Sequence, residues 1–491
     1  MRIPAWLATG VPRRLLLGGF VASSLLAVAG IGAGAVPRGK DAVATALHLT
    51  WLYDNGPFQT ICTAVTGLAL LLLVWSWWQL RHLLDVLSPR AVLVVAGLWS
   101  LPLLFAPPLF SRDVYAYAGQ GHLVANHIDA YTYGPGDYEP TSAWSFSVDG
   151  IWRFSPSPYG PVWLWISGLV LRIVGNHLIP AVILLRFVAV AGLLLVAWAL
   201  PRIARAHGVP PQRALWLGLA NPFILLHGVA GAHNDALMVG LLVCGIAVAG
   251  RTPNTLRLVV AAVLISVATL VKLPAVAGLG FLPMLMPSWG GRIRAGVVVV
   301  VTAAVASVSL TTATGLGWGW LHTLDAGSAR LSIFSPLTGV GVLVGNALEY
   351  VGLVQTPDAV LRIVLVAGFA LGGALALGLL LRAHHLGPMR ALGLTMVAVV
   401  ALGPIVQPWY LLWGLVLLAA VGTERTLLPL GALSMALCLA LAPNGRSLIR
   451  PPLYGAPVLA AVGVATYLVR RSSKQLREDA EPSEAPLELP A

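Results

Sequence analysis

Apolar runs of about twenty residues, the length that crosses about 30 Å of hydrocarbon as an α-helix, recur along almost the whole chain. A clear example is residues 179–200, which end just before Arg202 and Arg205. Between such runs stand short loops that carry most of the bases. The pattern predicts an all-α polytopic membrane protein.

Composition supports this class of fold. The chain is 58% hydrophobic and 10% charged, whereas a soluble domain carries about 25% charged residues. The net charge is +12, but the bases lie in loops between apolar runs instead of forming a basic patch. That distribution follows the positive-inside rule and argues against a nucleic-acid partner.

Arg2, Arg13 and Arg14 precede the first run and place the N-terminus inside. We read residues 161–176 as an interfacial or re-entrant helix, because a further crossing there would put the base-rich loop 202–213 outside. About 12–14 spans result, with both termini inside. The spans are predicted near 15–36, 58–79, 91–110, 179–200, 214–231, 236–250, 258–273, 275–288, 295–314, 360–381, 391–406, 408–422, 427–443 and 453–469.

These spans form one integral-membrane domain, residues 1–471, with two outer regions at 111–160 and 315–358. The tail 472–491 is rich in Glu, Ser and Pro and is predicted to be disordered in the cytoplasm. The first run lacks a small-residue cleavage site and is predicted to be a retained helix. Three cysteines lie far apart in apolar runs and are read as small buried residues: Cys62, Cys244 and Cys438.

Asp113 stands where an apolar run leaves the membrane and a long polar, aromatic segment begins. A carboxylate near hydrocarbon is costly and is seldom placed there without a use. It could simply pair with Arg112 to anchor the helix end. Alternatively, it is a general base that takes the proton of a sugar hydroxyl. A phosphate leaving group needs no acid, so one carboxylate would suffice, unlike the pair used in glycoside hydrolysis.

The triplet His233-Asn234-Asp235 interrupts two apolar spans at an outer helix end. Polar groups at this depth are costly unless they are hydrogen-bonded. Asn234 and Asp235 could cap the following helix. Alternatively, the triplet lines the same outer cavity, where it contacts sugar hydroxyls or supports the base.

Three cations are candidates for contact with a lipid phosphate: Lys272, His322 and Arg330. Arg330 is favoured because a guanidinium binds such an anion in a bidentate manner. Lys272 could instead extend its ammonium group to the bilayer surface. Tyr159, Gln407 and Tyr410 lie at outer helix boundaries, where an aromatic belt is common, although the amide of Gln407 needs polar partners.

Four segments carry a family resemblance: Ser111–Gly121, Ser157–Pro161, Gly231–Gly240 and Gln407–Gly414. Together they resemble the GT-C superfamily of polyprenyl-phosphate-sugar-dependent glycosyltransferases. More narrowly, the chain is similar to the actinobacterial α-1,6-mannosyltransferases of lipomannan and lipoarabinomannan assembly. The four segments are spread over most of the spans, so the resemblance covers nearly the whole chain.

The resemblance implies a plasma-membrane enzyme with decaprenyl-phosphate mannose as donor and a lipid-anchored mannan as acceptor. It implies transfer with inversion on the extracytoplasmic side, with Asp113 as the essential aspartate. A separate physical argument agrees on the donor type, because charged nucleotide sugars do not cross the bilayer, whereas a lipid anchor holds a flipped donor in it. Further substrate contacts are expected in the same outer region, at Arg112, Tyr115, Tyr117 and Gln120.

Neither a cofactor nor an essential metal is expected, because Arg or Lys can stabilise a departing monophosphate. Two alternatives remain at this point. The same fold could transfer arabinose or glucose, or use another acceptor. A flippase of lipid-linked sugars would instead place ionisable residues near the bilayer midplane and show two related halves, which the sequence lacks.

Overall fold

The computed structural model describes residues 10–36, 50–51, 55–175, 177–323 and 334–446. Within these ranges the chain is predominantly helical and contains no strand, which confirms the predicted all-α membrane fold. Arg330, the predicted span near 453–469 and the tail 472–491 lie outside the described residues.

Five of the described helices are long and apolar enough to cross a membrane. They are Arg13–Ala33, Gly56–Leu80 with the turn Arg81–Leu83, Leu178–Ala206, Trp289–Thr314 and Pro357–Leu381. Shorter apolar helices stand beside them at Pro89–Leu103, Pro161–Val174, Thr255–Val271, Leu273–Leu285, Pro388–Ala401, Pro408–Val421 and Glu424–Cys438. The predicted second outer region, residues 315–358, contains the helix Pro336–Tyr350.

The predicted span 91–110 is shorter than expected, because its helix ends at Leu103. Pro107 and Pro108 follow, and proline has no N–H with which to continue a helix. The chain then runs without helix to Phe110, whose N–H donates to the carbonyl of Pro443 at 2.8 Å. This non-helical stretch leads directly to Asp113.

The predicted spans 214–231 and 236–250 are not two simple crossings. A helix Pro211–Gly218 comes first, and Pro222 then starts a second one. The segment 222–230, which ends in a π-helical turn, and the helix Asp235–Ala249 meet at an angle of 115°. The break between these two arms contains His233 and Asn234, so the polar triplet lies at a sharp bend.

The region 111–160 is folded rather than an open loop. It contains the helix Asp113–Ala125 and two short helices, Pro135–Tyr138 and Ala143–Ser147. The helix Asp113–Ala125 packs against Pro161–Val174, the helix predicted to be interfacial or re-entrant. The outer region is therefore held against the bundle.

Two close backbone contacts position the elements of the site. A Cβ on Gly192 would lie 2.3 Å from the carbonyl oxygen of Ala236, and one on Gly240 would lie 2.3 Å from that of Gly192. Small residues of this kind let membrane helices approach closely. In the same way, a Cβ on Gly160 would lie 2.2 Å from the carbonyl oxygen of Leu270. The first contact fixes the helix that begins at Asp235, and the second brings the Tyr159 segment to the end of the helix before Lys272.

Three of the loops that were predicted to lie inside, near residues 81–90, 202–213 and 251–257, meet at one end of the bundle. Arg213 Nη2 lies 2.7 Å from Asp85 Oδ1, and Arg251 Nη1 donates to the carbonyl of Ala206 at 3.2 Å. Trp77 and Trp216 stack nearby, and each indole N–H donates to the carbonyl of the other residue. The membrane side on which this end lies stays a prediction.

Candidate active site

Asp113 is the first residue of its helix, and its backbone N–H donates to Ser111 Oγ at 3.1 Å. Its side chain is 15% exposed, and Oδ2 lies 3.5 Å from Nδ1 of His233. No ion pair joins Asp113 to Arg112, so the anchoring role considered above has no contact to support it. Burial raises the pKa of Asp113 to about 7, with Lys272 lowering it and Asp235 raising it. A carboxyl with this pKa is suited to accept a proton near neutral pH.

His233 is the immediate neighbour of this carboxylate. Its ring is 1% exposed and stacks on Trp409, with 3.9 Å between ring centroids. His227 lies on the other side, at 5.6 Å from both rings. Nε2 of His233 has no hydrogen-bond partner among the described residues. The stacking fixes the plane of the imidazole and directs one ring nitrogen at Asp113.

Asp235 has a very different environment, because it is fully buried and paired. Lys272 Nζ lies 2.8 Å and 2.9 Å from its two carboxylate oxygens, and Trp413 Nε1 donates to Oδ1 at 2.6 Å. The same ammonium lies 4.5 Å from the ring centroid of Tyr410. Lys272 is therefore held inside the protein by Asp235 and does not extend to the bilayer surface.

The helix-capping alternative for the triplet is not what the structure contains. Asn234 occupies the N-cap position, but its side chain makes no capping hydrogen bond. Its Oδ1 instead accepts from the phenol of Tyr117 at 3.4 Å, and its Nδ2 is buried without a partner among the described residues. The amide nitrogen of Asn234 is therefore available to a bound ligand, as far as the described residues show.

Aromatic rings enclose this corner of the site. Tyr117 meets Tyr159 edge-on at 5.3 Å and Trp163 at 5.1 Å, and Tyr410 stacks on Trp413 at 4.4 Å. Burial raises the pKa of both Tyr117 and Tyr159 well above 10. Both phenols are therefore neutral near pH 7 and can donate hydrogen bonds.

Two non-glycine residues with left-handed backbone precede the key segments. Phe110, with a φ of 62°, comes three residues before Asp113, and Ala232, with a φ of 53°, comes directly before His233. Such conformations cost about 1–3 kcal/mol and persist where the surrounding structure enforces them, often at functional sites. Here they turn the two backbone segments so that the side chains of Asp113 and His233 meet.

Gln120 takes part in hydrogen bonding within the protein, and its predicted contact with substrate stays a prediction. Its Oε1 accepts from Ser157 Oγ at 3.1 Å, and the Ser157 carbonyl accepts from Thr323 Oγ1 at 2.7 Å. Gln120 is buried in these contacts, which join the first outer region to the start of the second. Tyr115 is also buried on the same helix.

The remaining basic residues that were predicted to contact substrate differ in their exposure to solvent. His322 is exposed, and Arg330 is outside the described residues. Arg112 is half-buried, and its Nε has no hydrogen-bond partner among the described residues. Burial lowers its pKa, whereas Asp149 raises it, and Arg446 and Arg153 lower it further. Gln407 is half-buried and leads into the turn that carries Trp409 and Tyr410.

Sequence reasoning missed four residues that contact this site or its backbone. Neither Trp409 nor Trp413 was singled out, although each contacts one residue of the triplet. His227 was not considered, and neither was Arg186. A signal for Arg186 existed, because it is a charged residue in the middle of an apolar run.

No cluster of three or more His, Cys, Asp or Glu side chains suited to a metal occurs in the described part of the chain. Cys62, Cys244 and Cys438 are buried as free thiols. Asp113, His233 and Asp235 do lie in one region, but Asp235 is already neutralised by Lys272. Independence from a metal stays a prediction.

Two family models match the sequence of this chain. Residues 15–288 match the family model described as alpha-(1->6)-mannopyranosyltransferase, N-terminal domain. Residues 337–471 match a model described as the MptB C-terminal domain. No solved structure matches the chain.

Three relatives show how far the similarity extends. A probable alpha-(1->6)-mannopyranosyltransferase of Mycolicibacterium smegmatis is 33% identical over 84% of this chain and 79% of its own length. Alpha-(1->6)-mannopyranosyltransferase B of Corynebacterium glutamicum is 29% identical over 93% and 81%. Alpha-(1->6)-mannopyranosyltransferase A of Mycobacterium tuberculosis is 36% identical, but over only 58% and 53%.

Proposed function

This chain belongs to the alpha-(1->6)-mannopyranosyltransferase family, and we propose that it moves mannose from polyprenyl-phosphate mannose to a mannan acceptor. The observation that carries the proposal is the largely buried Asp113, whose carboxylate contacts His233 and has no cation at salt-bridge distance among the described residues. A carboxylate left without a counter-ion beside unsatisfied polar groups is suited to bind and deprotonate a hydroxyl.

The proposed step uses one base. Asp113 removes the proton of the acceptor 6-hydroxyl as that oxygen attacks the anomeric carbon of mannose. The new C1–O bond forms while the bond from C1 to the phosphate oxygen breaks, and the polyprenyl phosphate leaves with the electron pair. Attack opposite the leaving group converts a β-linked donor into an α-1,6 product. His233 holds the carboxylate in place and can share the proton that it receives.

The donor phosphate needs a cation. Arg330, which the sequence favours, lies outside the described residues and stays a prediction, so the described cations are compared with one another. Lys272 is neutralised by Asp235, and His322 is exposed without a described side-chain partner. Arg112 precedes Asp113 and has a buried Nε that no described residue binds. The turn that ends at Arg446 packs on the same segment, since a Cβ on Gly445 would lie 3.1 Å from the Cα of Ser111. We therefore favour Arg112, assisted by Arg446, as the phosphate contact.

Two features support a lipid-linked donor that is used on the extracytoplasmic side. The base-rich loops meet at one end of the bundle, whereas Asp113 lies in the acidic region 111–160, where the positive-inside rule predicts the outer face. A sugar donor on that side must have crossed the bilayer, and a lipid anchor keeps it in the membrane plane. The length of the similarity favours a B-type member of the family, because the B-named relative is matched over most of its length.

A direct assay tests the proposal. Purified protein in detergent is incubated with polyprenyl-phosphate mannose and a short α-1,6-mannoside, and the linkage of the product is determined. We expect mannosyl transfer with α-1,6 linkage, and no transfer from a nucleotide-linked mannose. Transfer of arabinose or glucose in place of mannose would change the substrate. A protein that only moves lipid-linked sugar across liposomes would overturn the enzymatic proposal.

A further inference from the structure

Arg186 is a charged residue in the middle of the helix Leu178–Ala206, and its side chain is 1% exposed. No carboxylate of the described residues lies within salt-bridge distance of it. An arginine inside a membrane helix is costly and generally marks a functional position. Ion pairing does not explain its presence here.

The guanidinium instead binds two backbone carbonyls from different parts of the chain. Nη1 donates to the carbonyl of Leu104 at 2.7 Å, and Nη2 donates to that of Ala230 at 3.2 Å. Leu104 caps the C-terminal end of the helix Pro89–Leu103, and Ala230 ends the π-helical turn. Carbonyls at helix ends lack intrahelical donors and carry partial negative charge, so both favour a cation.

Each of these two carbonyls begins one segment of the site. Residues 104–112 lead from Leu104 to Asp113, and Gly231 and Ala232 lead from Ala230 to His233. Each segment contains one left-handed non-glycine residue, Phe110 or Ala232, and therefore needs an external constraint to hold it. Arg186 supplies a shared constraint, because one rigid, planar group binds both starting points.

We propose that Arg186 is a positioning residue, which holds these two segments in register so that Asp113 and His233 meet. It is not a catalytic residue, since its bonded nitrogens are directed at backbone carbonyls. The proposal rests on the assignment of Asp113 as the base. It also makes a structural claim that does not depend on the identity of the donor.

The kinetic test replaces Arg186 by Met, which has a similar length but no charge or donor. We expect kcat to fall about a hundredfold with KM for the donor changed by less than about threefold, because misplacing a base affects the chemical step. Arg186→Lys keeps the charge and one bond and should recover part of kcat. The matched control is Arg202→Met on the same helix, whose exposed guanidinium donates to the carbonyl of Trp198 and lies over the ring of that residue.

A double-mutant cycle separates positioning from general stability. If Arg186 acts by aligning Asp113 with His233, then Arg186→Met should cost far less kcat in a His233→Ala background. Additive losses in kcat would overturn the proposal. If Arg186→Met does not fold, the same cycle with Arg186→Lys decides the question, and a Lys variant with wild-type kcat would equally overturn it.

A measurement without turnover keeps this inference separate from the proposed function. Asp113→Cys and His233→Cys are combined in a background lacking Cys62, Cys244 and Cys438, and the rate of cross-linking by a short bifunctional thiol reagent is measured. We expect the rate to fall at least severalfold in Arg186→Met and to stay unchanged in Arg202→Met. An unchanged rate in Arg186→Met would refute the positioning role even if mannosyl transfer fails in the wild-type protein.

Discussion

Asp113 and Asp235 are two aspartates of one site with opposite environments. Asp113 keeps partial exposure, contacts a histidine and has no cation at salt-bridge distance among the described residues. Asp235 is fully buried, binds Lys272 through both oxygens and accepts from Trp413. A paired carboxylate is a poor base, because its charge is already satisfied. The difference supports the proposed division of roles, in which Asp113 acts as the base and Asp235 holds helices together.

The largest expected effect is the loss of catalytic rate caused by Asp113→Asn. The amide keeps the shape but cannot accept the proton, so kcat should fall about 10²–10⁴-fold. Donor KM should change little, and the melting temperature should not fall. Asp137→Asn, an exposed acid of the same outer region, is the control for transfer assays. A folded Asp113→Asn protein with near wild-type transfer would remove the distinction between the two aspartates.

Asp235 and Lys272 should instead matter most for folding. Replacing either one alone leaves an unpaired buried charge, which typically costs about 3–5 kcal/mol of stability. The double variant Asp235→Asn with Lys272→Gln should recover most of that loss in thermal unfolding in detergent. Asp85→Asn breaks an exposed ion pair with Arg213 and should cost about 0–1 kcal/mol. A double variant as unstable as the singles would contradict a mainly electrostatic role.

Arg112→Ala tests whether the arginine beside Asp113 binds the donor phosphate. Loss of a charge-assisted contact should raise donor KM and weaken inhibition by polyprenyl phosphate about ten- to hundredfold. Arg112→Lys should recover only part of the affinity. Arg251→Ala, at the other end of the bundle, serves as control. If Arg330→Ala has this effect and Arg112→Ala does not, the phosphate contact belongs to Arg330.

The smallest expected effect is the pH dependence of stability that comes from Asp113. The pKa of Asp113 is about 7 in the folded protein, above the ordinary value of 3.8, so its protonated form favours folding. This contribution is complete below the unfolded pKa and is lost as the pH rises through about 7. Asp113→Asn should therefore melt a few degrees above wild type at pH 8 and nearly level with it at pH 4. A lower melting temperature at pH 8 would mean that the ionised carboxylate is stabilising.

The sequence located the elements of this comparison but not their pairing. Four residues of the site stand at the boundaries of apolar runs, so the sequence indicates their depth in the membrane: Asp113, His233, Lys272 and Tyr410. The partner of Lys272 was not, because Asp235 lies 37 residues earlier and reaches it only through the packing of two helices. Arg186 was visible as a charge among apolar residues, but its acceptors are backbone carbonyls that no sequence pattern marks.

The same limit applied to the fold. Prolines at 107 and 108 indicated an end of helix, yet apolar content alone extended the predicted span to 110. The residues 214–250 read as two crossings because both arms are apolar, whereas the bend of 115° depends on tertiary contacts such as that of Gly192 with Gly240. The all-α architecture itself followed from the apolar runs.

The Asp235–Lys272 pair also bears on how the chain enters the membrane during synthesis. The two residues stand at the open end of one helical hairpin, formed by Asp235–Ala249 and Thr255–Val271. Either arm alone would carry an unmatched charge at its open end, whereas the two arms together are neutral there. We therefore expect the two arms to insert most readily as a single unit. A ribosome that has completed only the first arm holds a segment that lacks its counter-ion.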